Sequence, residues 1–147
     1  MKWSIKSFNE LTVNELYEIC KARYEVFGCE QKIYQENDLD DIDKKAFHLF
    51  LQDGDKVAAY ARIIPKETAH KEVSIGRVLV LKDYRRKGFA VELMNRAVDF
   101  AKYDLKAEKV VVSAQYYVKE LYEKLGFKIV SEIYNEVEIP HVKMILE

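Results

Sequence analysis

The segment from Val73 to Asp99 contains a strand, a basic turn and a helix, and this order limits the possible folds most strongly. Its first part is an apolar, mostly β-branched run, as expected for a strand buried on both faces. From Gly88 onward the apolar residues recur at i, i+3, i+4 and i+7, which predicts an amphipathic helix. The members of this stripe are Ala90, Leu93, Met94 and Ala97.

The turn between strand and helix has the properties of an anion site. The first N–H groups of a helix lack internal partners, and the helix dipole adds partial positive charge there. Gly88 has no side chain, so a phosphate can approach the backbone closely, and Ala90 is the next smallest choice. Cationic side chains surround the same point. The sequence therefore predicts a diphosphate cradle formed by Arg85, Arg86, Lys87, Gly88, Phe89 and Ala90.

Other phosphate-binding motifs are absent. No G-x-x-x-x-G-K-[ST] sequence occurs, which disfavours nucleoside triphosphate chemistry, and no G-x-G-x-x-G sequence occurs, which disfavours a Rossmann dinucleotide site. The six cradle residues taken alone fit a basic helix cap on an ordinary α/β protein equally well. The choice between these interpretations depends on the rest of the chain.

Length and composition exclude several classes of protein. The 147 residues predict a single domain, 1–147, and the balance of 24 basic and 25 acidic residues disfavours a nucleic-acid binder. No apolar run approaches a membrane span, and we expect no signal peptide. The spacing of Cys20 and Cys29 fits neither a metal site nor a disulfide framework. We therefore expect a metal-free protein with free thiols in a reducing cytoplasm.

Charge is unevenly distributed along the chain. Five acidic residues and no base lie between Glu36 and Asp43, whereas the cradle is basic. An acidic and a basic patch together would suit a cationic acceptor and an anionic donor. A solvated loop is the alternative for the acidic run. Arg23, Arg62 and Arg77 lie within largely apolar segments and are expected to pair with carboxylates, with Glu25 and Glu30 as the candidate partners.

The patterns of hydrophobicity and turn residues predict an α/β (α+β) chain with a mixed, mostly antiparallel sheet of about seven strands and helices on both faces. Thr12 and Glu15 have the spacing of a capping box, and Asp53-Gly54 indicates a hairpin. The predicted strands are 3–8, 46–52, 56–64, 73–81, 109–114, 128–134 and 140–146, and the predicted helices are 11–28, 88–103 and 117–125. The connection at 28–45 is long enough to suggest a function or an additional helix.

Two motifs in this order resemble the GNAT superfamily of N-acetyltransferases. Arg85, Gly88 and Ala90 match its R-x-x-G-x-G/A signature. A later segment, 115–127, is similar to N-x-x-A-x-x-L-Y-x-k-x-G-F, with Gln115 in place of Asn and Val118 in place of Ala. The predicted element order is also that of the single-domain GNAT fold. Further segments resemble the ElaA-like subgroup, among them Glu30-Gln31, Tyr60-Ala61-Arg62-Ile63, Ile75-Gly76-Arg77-Val78 and Ile139-Pro140-His141.

The resemblance implies acetyl-CoA as cosubstrate. Its pantetheine arm would pair with backbone groups of Val78, Leu79 and Val80, its pyrophosphate would lie on residues 85–90, and Gln115 and Tyr122 would contact it farther along. Tyr122 would act as the general acid toward the leaving thiolate, because a phenol is protonated at neutral pH. The alternative is that Tyr122 is an ordinary packed aromatic residue.

The attacking amine needs a base, and three residues are candidates for this role: Glu30, His48 and His141. Glu30 is also a candidate for the acceptor site, because it lies beside the long connection. For each of the three, a structural hydrogen bond or a solvated side chain is the alternative.

The predicted activity is transfer of an acetyl group from acetyl-CoA to a small-molecule or peptide amine by direct attack in a ternary complex. A catalytically silent coenzyme A-binding sensor or interaction domain is the rival interpretation. Edge strands of such sheets often pair between subunits, which leaves a homodimer open.

Overall fold

The computed structural model describes all residues from 1 to 147 and contains eight strands and three α-helices. The strands are β1 Lys2–Ser7, β2 Phe47–Asp53, β3 Lys56–Ile64, β4 Val73–Val80, β5 Val110–Gln115, β6 Lys128–Ile129, β7 Tyr134–Glu136 and β8 Ile139–Leu146. The helices are α1 Val13–Arg23, α2 Phe89–Asp99 and α3 Lys119–Lys124. No helix is long and apolar enough to cross a membrane.

Local sequence signals explain where the first two helices begin and end. Thr12 and Glu15 form the predicted capping box, with the Glu15 N–H donating to Thr12 Oγ1 at 3.0 Å and the Thr12 N–H donating to Glu15 Oε1 at 2.9 Å. α1 and α2 each continue into a wider π-helical turn, at Tyr24–Glu30 and Phe100–Asp104. The π-helical turns account for the greater length of the helices predicted from periodicity.

The sheet is open and mixed, in the order β1-β2-β3-β4-β5-β8-β6, with β7 paired to β8 beside it. β4 and β5 form its parallel pair, and the other pairs are antiparallel. Parallel pairing requires a crossover, and α2 supplies it. The predicted fold class is therefore confirmed, with eight strands where about seven were expected.

Helices cover both faces of the sheet. Leu49 belongs to a core cluster with α2 residues such as Leu93, whereas the neighbouring Phe50 belongs to a second cluster with Ile19 of α1. Successive side chains of a strand point to opposite faces, so α1 and α2 lie on opposite sides. Strict alternation along β3 would place Val57 on the same face as Ala59, which belongs to the α2 cluster. The register shifts between Leu51 and Gln52, and Val57 joins the α1 cluster instead.

The last third of the chain departs most from prediction. Of the single strand expected at 128–134, only Lys128–Ile129 (β6) and Tyr134, the first residue of β7, are in strands, and β6 and β7 pair with different parts of β8. The turn between β7 and β8 consists of Val137 and Glu138, with φ angles of 47° and 64°. Positive φ at both central residues is the geometry of a two-residue hairpin turn that normally contains Asn or Gly. This turn therefore stores backbone strain at residues that lie beside the site described next.

Candidate functional site

A gap in the sheet between β4 and β5 forms the site. The two strands pair only from Val73↔Val110 to Ile75↔Val112. β4 then carries a bulge opposite β3, where Arg77 has a φ of 51°, and the strands diverge. The gap opens into a cavity of about 350 Å³ that is lined by the π-helical turn after α1, the loop before β2, strands β4, β5, β7 and β8, the start of α2, and α3. A concave site with mostly apolar walls and a few polar groups is the expected place for a ligand.

The backbone of β4 borders the cavity on one side. Leu81 donates its N–H to the Ala58 carbonyl of β3 at 2.9 Å, and the Val80 carbonyl accepts from Arg85 Nε at 2.9 Å. Backbone polar groups of a strand alternate in direction. Val78 and Val80 therefore turn their N–H and C=O groups toward the gap, whereas Leu79 turns toward β3. Among the three predicted backbone contacts, Val78 and Val80 are available to an added extended ligand.

The predicted cradle lies where α2 begins. Gly88 caps the helix in a left-handed conformation with a φ of 82°, and a side chain built there would meet nothing within 4 Å. The open space faces the free N–H groups of the first turn of α2, as an anion site requires. Arg86 and Lys87 are exposed beside it. Phe89 packs against the core, so its backbone rather than its ring can face a ligand.

Arg85 forms an ion pair with a carboxylate of the protein, Glu30. Its Nη1 and Nη2 atoms donate to the two carboxylate oxygens of Glu30 at 2.7 and 2.9 Å. The hydrogen bond from Arg85, reinforced by its charge and that of Lys82, holds the pKa of the exposed Glu30 carboxylate below its ordinary value. Glu30 does not line the cavity, whereas Arg85 does. This placement favours a role for Glu30 in the donor half of the site rather than in proton transfer.

Tyr122 lies on α3 with its side chain almost entirely buried and lining the cavity. Its ring packs edge-to-face on Phe127, with centroids 5.8 Å apart. Burial raises the pKa of Tyr122 to about 12. No carboxylate or amide of the protein engages the hydroxyl, which is therefore free to contact a ligand in the cavity. The interpretation as a packed aromatic and the interpretation as a donor are compatible in this geometry.

The amide of Gln115 is held by the loop that follows α1. Gln115 Nε2 donates to Oε1 of Gln31 at 3.0 Å, and both residues line the cavity. This bond joins the end of β5 to the loop at residues 31–45. Gln115 thus remains available at the cavity wall, with its amide oriented by Gln31.

The two candidate histidines have different environments. His48 is buried between the Tyr60 hydroxyl, 2.7 Å from Nδ1, and the Asp43 carbonyl, 2.9 Å from Nε2. Because the carbonyl only accepts, Nε2 carries the hydrogen and Nδ1 accepts from Tyr60, which leaves no free lone pair. Burial holds the pKa of His48 below its ordinary value. His141, in contrast, lines the cavity.

The acidic run does not form the exposed patch that its composition suggested. Asp38 accepts from Arg23 Nε and from Arg77 Nε at 2.9 Å each. Asp43 accepts from Arg23 Nη1 at 2.8 Å and from Arg62 Nη1 at 2.9 Å, and Asp40 accepts from Arg62 Nη1 at 2.6 Å. The expectation that the three arginines pair with carboxylates is confirmed. The expected partners, Glu25 and Glu30, were wrong.

This ion network fastens the loop at residues 31–45 over the α1 face of the sheet. The sequence contained a signal for this network. It has three aspartates at i, i+2 and i+5 in one loop, and three arginines in otherwise apolar elements that need carboxylate partners. The carboxylates of Glu36 and Glu136 also line the cavity, and neither forms an ion pair with a lysine or arginine. These two, rather than the whole acidic run, are the negative charges open to a ligand.

Comparison with known proteins agrees with this geometry. The family model described as an acetyltransferase (GNAT) domain matches residues 13–147. The UPF0039 protein C11D3.02c of Schizosaccharomyces pombe is 43% identical over 150 residues, spanning 100% of this chain and 97% of that protein. The crystal structure of Escherichia coli ElaA superposes with a TM-score of 0.92 at 30% identity, covering 100% of both chains. That of an acyl-CoA N-acyltransferase from Pseudomonas aeruginosa gives a TM-score of 0.90 at 33% identity, covering 98% of this chain and 97% of the other.

Proposed function

The chain belongs to the GNAT acetyltransferase family, whose fold supports acyl transfer from a coenzyme A thioester, and we propose that it acetylates a primary amine with acetyl-CoA. One observation carries this proposal. A single cavity between β4 and β5 has a basic helix start at its edge and the buried phenol of Tyr122 in its wall. These are the two features that a thioester donor needs, a site for its phosphates and a hydrogen donor near its sulfur.

The proposed binding of acetyl-CoA involves three sets of contacts. The N–H groups at the start of α2, with Arg86 and Lys87 beside them, would hold the pyrophosphate. The gap-facing backbone of Val78 and Val80 would pair with the extended pantetheine arm. One of these N–H groups would also stabilise negative charge that develops on the thioester oxygen during attack.

Proton transfer to sulfur is the role proposed for Tyr122. Bound acetyl-CoA supplies the activated carbonyl carbon and the leaving thiolate. The raised pKa of Tyr122, about 12, keeps the phenol protonated throughout the physiological range. It can therefore donate to the sulfur as charge develops there. Gln115, oriented by Gln31, supplies an amide donor and acceptor in the same wall.

The acceptor is proposed to be a small-molecule or peptide amine. Carboxylates of Glu36 and Glu136 line the cavity and would attract an ammonium group. The free thiols of Cys20 and Cys29 support a reducing compartment, for which we propose the cytoplasm.

A coenzyme A-release screen against a panel of amines tests the proposal. The panel contains polyamines, amino sugars, amino acids and peptides with a free N-terminus or lysine, and calorimetry measures coenzyme A binding in parallel. We expect thiol release with at least one amine. Tight coenzyme A binding without release for any amine would support a silent sensor instead. No uptake of coenzyme A by the folded protein would overturn both interpretations.

A further inference from the structure

His141 is held in one tautomer by its own backbone. Its Nδ1 atom lies 2.7 Å from the carbonyl oxygen of Ile139, an atom that can only accept a hydrogen bond. Nδ1 must therefore carry the hydrogen. The neutral imidazole is left with an unprotonated Nε2, and its side chain is nearly buried in the cavity wall.

Nε2 faces a second acceptor. Glu136 Oε2 lies 3.5 Å from it, across the β7–β8 hairpin. While the imidazole is neutral, Nε2 and Oε2 can both only accept, so no hydrogen lies between them. The arrangement becomes favourable when a proton reaches Nε2, or when an N–H donor of a ligand approaches both atoms. The pair is thus suited to receive a proton from an ammonium group.

Neighbouring side chains fix the orientation of the imidazole ring. The ring of Tyr134 stacks on it, with centroids 6.1 Å apart and an interplanar angle of 24°. The Tyr134 hydroxyl is in turn hydrogen-bonded to Ser113 Oγ, which ties β7 to β5. The ring of His141 is therefore preorganised before any ligand binds.

His141 and Tyr122 belong to opposite faces of the sheet. Val142 and Ala114 are paired and lie in the core cluster that contains Tyr122. Because side chains alternate, the adjacent His141 points to the other face, the face on which the loop at residues 31–45 lies. The gap between β4 and β5 connects the two faces, and both side chains line it. A base for the attacking amine and an acid for the leaving thiolate act on different atoms, and these two side chains can reach a thioester in the gap from different sides.

We infer that His141 Nε2 is the base that removes a proton from the acceptor amine, with the Glu136 carboxylate binding the ammonium beside it. The inference rests on the proposed function and deepens it, because it limits the acceptor to a primary ammonium presented from the His141 face. The titratable and charged groups that line the cavity together with His141 are Glu136, Tyr122, Arg77, Arg85, Glu36 and Asp38, and Tyr134 stacks on the imidazole ring. Glu136 is the charged group within ion-pair distance.

The protons and bonds balance as follows. The ammonium gives one proton to His141 Nε2, which passes it to water. The amine lone pair forms the N–C bond as the C–S bond breaks. The nitrogen loses its second proton, the thiolate takes a proton from the Tyr122 hydroxyl, and Tyr122 regains the proton released by the nitrogen. The products are an amide, coenzyme A with a free thiol, and one proton.

Kinetics of His141→Asn and His141→Ala test the inference, with an amine acceptor from the screen. Asn can still donate to the Ile139 carbonyl but cannot take a proton. We expect kcat/KM to fall about 10²- to 10⁴-fold with unchanged coenzyme A affinity. In the plot of kcat/KM against pH, the decrease on the acid side should disappear in His141→Asn.

Added imidazoles should restore acetylation activity to His141→Ala, and the restored rate should increase with the basicity of the imidazole. A purely structural role for His141 would give no such dependence on base strength.

Two further variants complete the experiment. Glu136→Gln should raise KM for the amine about tenfold with a smaller change in kcat, because a charge-assisted contact is lost from binding. His70→Ala, at an exposed histidine outside the cavity, is the matched control and should change neither parameter. An unchanged kcat/KM profile in His141→Asn, while the wild type acetylates the amine, would overturn the inference and leave the proposed function intact. A wild type that releases no thiol with any amine would overturn both.

Discussion

The carboxylate of Glu30 binds the guanidinium of Arg85 through both terminal nitrogens, at 2.7 and 2.9 Å, at the edge of the proposed diphosphate cradle. The two residues are 55 positions apart, and the contact links the end of the turn after α1 to the turn before α2. A carboxylate here occupies one of the cations that a diphosphate would use. Within the donor half of the site, Glu30 would therefore compete with the donor's phosphates for Arg85.

Substitution of Glu30 by Gln should tighten coenzyme A binding. The ion pair is partly exposed, and such pairs contribute about 0.2–1 kcal/mol, so we expect the Kd to fall about two- to fivefold. Calorimetry at two ionic strengths measures the change, which should shrink with added salt. Glu123→Gln, which removes an exposed partner of Lys119 on α3, is the control. Weaker binding in Glu30→Gln would show that Glu30 preorganises Arg85 instead.

Gly88→Ala should damage donor binding more than stability. Gly88 and Gly54 both have positive φ, 82° and 63°, and an added Cβ meets nothing within 4 Å at either position. Each Ala variant should therefore lose about 1 kcal/mol of unfolding free energy. Only Gly88→Ala should also weaken coenzyme A binding, by about tenfold or more, because its methyl group enters the space a phosphate would use. Equal coenzyme A affinity in the two variants would place the phosphates elsewhere.

Tyr122→Phe should separate binding from chemistry. The phenyl ring keeps the edge-to-face contact with Phe127, so the fold and coenzyme A affinity should be retained. Loss of the hydroxyl removes the proposed hydrogen donor to sulfur, and we expect kcat to fall about 10²-fold or more. Steady-state kinetics with the best amine of the panel gives the result. Unchanged turnover with normal affinity would restrict Tyr122 to packing.

Asp43→Asn should lower stability and flatten its dependence on acid. Burial opposes ionisation of Asp43, but the hydrogen bond and charge of Arg23 and the charge of Arg62 outweigh it and hold the pKa below the ordinary value. A depressed pKa contributes stability that is present above the unfolded pKa, about 3.9, and is lost as pH falls through the folded pKa. Wild-type stability should thus decline below about pH 4.

Denaturant unfolding between neutral pH and pH 2 measures this effect. At neutral pH, Asp43→Asn should cost about 3–5 kcal/mol, because buried guanidinium groups lose a paired charge. The matched control is Asp41→Asn, whose side chain is 98% exposed and lies 3.9 Å from Lys44, and it should change stability by less than about 0.5 kcal/mol. Identical acid slopes for wild type and Asp43→Asn would exclude Asp43 as the group responsible.

Features that depend on nearby residues were predictable from the sequence. The capping box at Thr12 and Glu15, the buried strand before Gly88 and the helix after it all follow from spacings of a few residues, and all are present. The interruption of the strand expected at 128–134 was not predictable. It depends on where β6 and β7 each pair with β8, a contact between segments that are separated along the chain.

Partner choice among charged residues likewise required the tertiary structure. The sequence indicated that three arginines in apolar segments pair with carboxylates. The folded position of the loop at residues 31–45 determines that Asp38, Asp40 and Asp43 are the partners. These ion pairs engage three of the five acidic residues of the run, of which Asp43 is buried. It left Glu36 and Glu136 as the carboxylates that line the cavity without a lysine or arginine partner.

The sequence by itself determined the family, the strand-turn-helix cradle and the presence of a tyrosine at position 122, because hydrophobic periodicity and short motifs act over a few residues. The tertiary structure alone decided which histidine faces the cavity and which is enclosed by Tyr60 and Asp43. It also decided that Glu30 binds Arg85. Such outcomes depend on distances between side chains far apart in the chain, and those distances are set only when the sheet and its covering helices pack together.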